Sequence, residues 1–159
     1  MSTTTISRQG RTVALAAATI AMTIATAAPA GASAAKLSVN RYLPGTYTVS
    51  VDGVFTMTQG QAQGLINNGY RIEYRLWGDD TDFDDLLLGP IFLTRPPGGL
   101  SATPLGLEFH RFGHLRGSQL NEDDSFFDRH DELYAVVTLK NSTGTAVRAF
   151  GTNHVEGYF

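Results

Sequence analysis

Apolar residues recur at every second position through much of this chain. Tyr70, Ile72, Tyr74 and Leu76 alternate with Arg71, Glu73 and Arg75, which predicts a strand with one buried face and one exposed, charged stripe. Leu133, Ala135, Val137 and Leu139 predict a second strand of the same kind. In Thr46–Val51, the residues Tyr47, Val49 and Val51 share a face, and Asp52-Gly53 follows as a type I′ hairpin signal with Val54–Thr58 returning. That hairpin sends Phe55 and Met57 to the Thr48/Ser50 side. It therefore requires either cover on both faces or a bulge that shifts the register.

The remaining segments are weaker. Leu86–Leu93 holds Gly89-Pro90, which marks an edge strand or a break. Leu107–Phe112, Ala146–Phe150 and His154–Phe159 read as short strands. Gln61–Asn68 reads as a short helix with Ala62, Leu65 and Ile66 on one side, stopped by Asn68-Gly69. Thr94–Gly106 and Gly113–Asp131 read as long loops, and long loops in small domains commonly serve binding. The pattern predicts an all-β fold, an antiparallel β-sandwich of about seven or eight short strands with one short helix.

The N-terminus predicts export. Arg8 and Arg11 precede the apolar run Val13–Ala28, and Pro29, Gly31 and the small-x-small pattern Ala32-Ser33-Ala34 end it. The run is shorter than the roughly 20 residues of a membrane span. The expected organisation is a signal peptide over 1–34, an N-terminal extension over 35–45 and one sandwich domain over 46–159. The mature chain is then a secreted, extracellular protein without a membrane span. With Arg8 and Arg11 removed, it carries ten basic and fifteen acidic side chains, a net charge of −5. Such a balance disfavours nucleic acid and anionic membranes as partners. There is no cysteine, so neither disulfides nor thiol chemistry can contribute.

Acidic residues are concentrated in two segments. Asp79, Asp80, Asp82, Asp84 and Asp85 place five carboxylates within seven residues, directly after a predicted strand. Glu122–Glu132, with Asp123, Asp124, Asp128 and Asp131, leads into another. Both segments sit at strand ends, so they can meet at one end of a sandwich. Calcium takes six to eight oxygen ligands, and closely spaced aspartates supply them. The expected ligands are Asp79, Asp80, Asp82, Asp84, Asp85, Asp124 and Asp128. The alternatives are a solvated acidic turn and a catalytic carboxylate pair. Strand Tyr70–Trp77 followed by Gly78–Gly89 resembles the third calcium loop of C2 domains, over about twenty residues. In that resemblance Asp80 and Asp82 match the Asp-x-Asp pair, Asp84 or Asp85 a later ligand, and Gly89 the glycine. It implies a β-sandwich and oxygen-ligated calcium. The Ala/Thr-rich leader and the Leu76–Asp80 phrase also resemble small secreted actinobacterial proteins, which implies no particular function.

Other chemistry is thinner. Glu108, His110 and His114 form a candidate zinc set, and His130 beside Asp128 and Asp131 a candidate acid/base. Ser118 lacks a nucleophile-elbow frame, and no phosphate-binding glycine loop occurs. Trp77 falls on the charged face, either as a ligand platform or as cover under the acidic segment. The expected function is a secreted, non-enzymatic binding module that takes calcium and an extracellular protein or glycan. The alternatives are a metal-free interaction protein, inhibitor or toxin-like, and a small hydrolase.

Overall fold

Strict alternation in the strands requires a surface to bury each apolar face, and two antiparallel sheets supply it to one another. The computed structural model describes residues 33–79, 84–94, 99–121 and 131–159. Its elements are β1 (Ala34–Leu43), β2 (Thr46–Thr56), α1 (Gln59–Asn67), β3 (Arg71–Gly78), β4 (Asp85–Leu93) and β5 (Leu100–Thr103). They continue with β6 (Gly106–Arg116), β7 (Asp131–Lys140), β8 (Ala146–Gly151) and β9 (Val155–Gly157). One sheet has the order β1-β2-β6-β5, and the other β4-β3-β7-β8 with β9 also on β7. Every described pairing is antiparallel. The protein is an all-β sandwich with one α-helix among the described residues.

The core lies between the sheets. Leu37, Val51, Phe55, Leu107 and Phe109 come from the first sheet, and Ile72, Leu76, Leu133, Ala135, Val137 and Leu139 from the second. The inward faces expected for β3 and β7 are the observed ones. Helix α1 closes one end with buried Ala62 and Ile66. It starts at a capping box, in which the Thr58 hydroxyl accepts from Gln61 N–H and Gln61 Oε1 accepts from Thr58 N–H. β4 is an edge strand, as Pro90 requires, and its register shifts opposite Arg75.

Four expectations are corrected. Asp52-Gly53 is not a hairpin turn, because β2 runs straight through it. Gly53 lies flat in the strand, facing the Phe109 ring and the Ala34 carbonyl, so close approach and not a turn is what needs glycine there. Continuing the strand also removes the register conflict, since Val49, Val51 and Phe55 then share the buried face. Residues 35–45 are not a free extension; they form most of β1 and the turn at Gly45, paired along β2. The Thr94–Gly106 stretch contains β5, which pairs residues 100–103 with β6. The Gly113–Asp131 stretch begins as strand, since β6 continues to Arg116 before a single 3-10 turn at Gly117–Gln119. Short strands of poor alternation are held by ladder partners that local pattern does not reveal.

The open side of the sandwich is tied by Asn153. Its Oδ1 accepts from Leu37 N–H at 2.9 Å and its Nδ2 donates to Leu37 O at 3.2 Å. One side chain from the β8–β9 connection thus replaces a ladder partner for the edge strand of the first sheet.

Candidate metal centre

The two acid-rich segments are rooted side by side because β3 ends where β7 begins. Trp77 is opposite Tyr134 and Gly78 opposite Leu133. The next residue, Asp79, donates its N–H to the Glu132 carbonyl at 2.7 Å. Parity then decides the side chains: Leu133 faces the core, so Glu132 and Tyr134 face outward.

His154 arrives from the far end of the chain. Between β8 and β9 the chain steps away from β7 and returns. Thr152 secures the step: its N–H donates to Ala135 O at 2.9 Å, and its hydroxyl accepts from Ala135 N–H at 2.8 Å. That step sets the His154 ring flat against Tyr134, with centroids 5.1 Å apart and planes inclined by 11°. His154 Nδ1 lies 2.9 Å from Asp79 Oδ2. The Tyr134 hydroxyl donates to Asp84 Oδ2 at 2.6 Å, which brings in the start of β4.

Asp79, Glu132 and His154 therefore form a cluster whose ligand atoms all lie within 4.8 Å of one another. Among the described residues it is the one such group of three, and His154 is the one ion-pair partner of its carboxylates. The Tyr134 phenol is pushed up to about 12, first by burial, then by its bond to Asp84 and by the charges of Asp84 and Asp79. Among the described residues, the carboxylates at this end of the sheet outnumber the cationic groups paired with them.

Of the expected ligands, Asp79 belongs to the cluster and Asp84 adjoins it through Tyr134. Asp85 pairs with Gly78 at the exposed start of β4 and is not in the cluster. Asp80, Asp82, Asp124 and Asp128 lie outside the described residues, as does His130. Asp131 faces inward at 2% exposure. Glu132 and His154 were not among the expected ligands. The parity of β7 could have placed Glu132, but no local pattern marks His154.

The Glu108/His110/His114 set does share one outer face, on β6, but it does not converge. His110 pairs with Asp52 across β2, and His114 stacks on Tyr42 with ring centroids 4.2 Å apart. Strand rise separates His110 from His114 by about 13 Å, too far for one ion.

Calcium–oxygen distances of about 2.3–2.6 Å allow donors up to roughly 5 Å apart, whereas zinc at about 2.0–2.2 Å requires them nearer 4 Å. The donors of this cluster lie close enough together for one ion; its carboxylates suit a hard cation and its imidazole a softer one. No protein-family model matches the chain, and neither a curated protein nor a solved structure matches it. The fold and the site therefore carry the functional reading by themselves. In class the chain is a β-sandwich with an acidic, imidazole-bearing sheet end, and no helix among the described residues is long and apolar enough to cross a membrane.

Proposed function

We propose that this protein is an exported, non-enzymatic binding module that takes a calcium ion at the acid-rich end of its second sheet. The convergence of Asp79, Glu132 and His154 at the roots of both acidic segments carries the reading. In it, the Asp79 and Glu132 carboxylates are oxygen ligands and His154 orients Asp79 through their 2.9 Å contact. Neighbouring acidic residues complete the oxygen shell. The ion relieves repulsion among the carboxylates and orders the segments, which present a surface to an extracellular protein or glycan. The imidazole favours a second reading, zinc or another transition metal held by all three side chains.

Export rests on the leader pattern of residues 1–34. Cleavage after Ala34 removes the Ser33 hydroxyl that accepts from Thr56 N–H at 3.0 Å and leaves Ala35 to begin β1.

The test is a thermal melt in chelator and across calcium, zinc and magnesium series. Binding to the folded state alone adds about 2.7 kcal/mol at a hundredfold excess over Kd. For a domain of this size that corresponds to a rise of roughly 10 °C. Calcium binding requires a saturable rise that Asp79→Asn diminishes and His154→Ala preserves. Loss of the rise in His154→Ala, with zinc more effective than calcium, establishes the transition-metal reading. No response to any of the three ions refutes both.

A further inference from the structure

The outer face of the second sheet holds a second site, away from the acidic end. Arg71, Glu73, Arg75 and Trp77 on β3 lie opposite Lys140, Thr138, Val136 and Tyr134 on β7. Glu73 sits on this outer face yet is only 4% exposed. Its carboxylate is enclosed by its own partners, with Arg75 Nε at 3.1 Å and Lys140 Nζ at 2.5 Å. The two cationic side chains remain 41% and 21% exposed. Beside them is an open depression of about 250 Å³, walled by Glu73 itself with Arg75, Lys140, Thr138, Val136 and Trp77. The Trp77 indole N–H has no acceptor among the described residues. Two cations to one carboxylate leave the depression positive. The Arg71 guanidinium, held over the Phe92 ring at 4.9 Å, adds to the positive charge of the face.

We propose that this depression binds a carboxylated sugar of the uronate class. The sugar carboxylate lies between Arg75 and Lys140, where charge-assisted hydrogen bonds are strongest. The apolar side of the sugar ring rests against Trp77 and Val136. Buried Glu73 holds both cations in position before the ligand arrives, which limits the ordering entropy lost on binding. A neutral sugar lacks the charge, and a small carboxylate lacks the ring. Asp79, Glu132 and His154 take no part, so this site stands whether or not the cation reading holds.

Trp77 is the chain's one tryptophan and lines this depression, so its fluorescence reports on it, with chelator keeping metal from the neighbouring acidic end. The purified protein, in chelator, is titrated with sodium glucuronate, glucose and sodium acetate. The expected result is a saturable change with glucuronate and a response at least about tenfold weaker with the other two. Lys140→Met, confirmed folded by its thermal melt, weakens glucuronate binding at least about tenfold. Should that variant unfold, Trp77→Ala is measured by calorimetry; it removes the ring on which the sugar rests and weakens binding about fivefold. A flat response to glucuronate overturns the proposal, as does an equal response to glucose or acetate. Undiminished binding in the folded variants overturns it too.

Discussion

Gly53 offers the sharpest test of the fold, because a turn and a strand demand different things of it. In β2 its missing side chain points between the sheets. A Cβ there meets the Ala34 carbonyl, the tip of the Phe109 ring and, at 2.9 Å, Ala35 Cα. Two of these three neighbours are main-chain atoms of β1 and cannot rotate away, so the variants are made in the chain that keeps Ala34, since cleavage after it leaves only the Ala35 Cα of the two. The third belongs to a ring that is 3% exposed and packed against Phe55, with centroids 5.9 Å apart. Overpacking a filled core costs about 1–3 kcal/mol, and the rigid neighbours place Gly53→Ala near the top of that range. The stiffer unfolded chain returns about 0.4–1 kcal/mol. The net loss is about 2 kcal/mol, a fall in Tm of roughly 5–10 °C. Gly53→Asn separates strand from turn. Asparagine adopts the left-handed backbone of a type I′ turn readily, but in the strand it adds a larger, polar group to the same closed space. Urea and thermal melts of both variants are expected to show a larger loss for Asn than for Ala. Asn tolerated as well as or better than Ala would refute the continuous strand.

Two further outcomes follow from the closed edge and the acidic end. Asn153→Ala frees the Leu37 N–H and carbonyl at the half-buried edge of β1 and is expected to cost about 1–3 kcal/mol in a urea melt; no change would mean that water replaces the tie. Tyr134 holds its proton more tightly folded than unfolded, so its contribution to stability is complete below pH 10 and is lost as pH rises toward about 12. Asp84→Ala removes a hydrogen bond and a charge but not the burial. The phenolate absorbance titration of Tyr134 should therefore move part of the way back toward 10, and an unchanged titration would refute the Asp84 contact.

Where both faces of a strand met different environments, parity along the chain was sufficient. Ile72 and Leu76 opposite Arg71 and Arg75, and Leu133 through Leu139 opposite Glu132 and Lys140, could be oriented before any partner was known. Parity was uninformative where a strand lies at a sheet margin, as for Ser101 and Ala102 in β5. It was misleading at Asp52-Gly53, where a local turn signal was overridden by ladders on both sides, Lys36 opposite Asp52 on β1 and His110 opposite it on β6. The acidic end was half legible. Asp79 and Asp84 stand out as a charge run, and Glu132 follows from the parity of β7. His154 does not, since it lies 22 residues from Glu132 in sequence and 75 from Asp79.

The sequence by itself determined the class of fold and the orientation of its central strands, because alternation is a local property that burial on one side enforces. It also determined where acidic charge is concentrated, since like charges adjacent in sequence remain adjacent in any fold. Tertiary structure alone decided which strands pair, that Gly53 serves contact and not a turn, and which side chains gather around Asp79. It alone enclosed Glu73 between Arg75 and Lys140. These are relations between residues distant in the chain, set by ladder register and by the face each strand turns to its neighbour, and no local pattern encodes them.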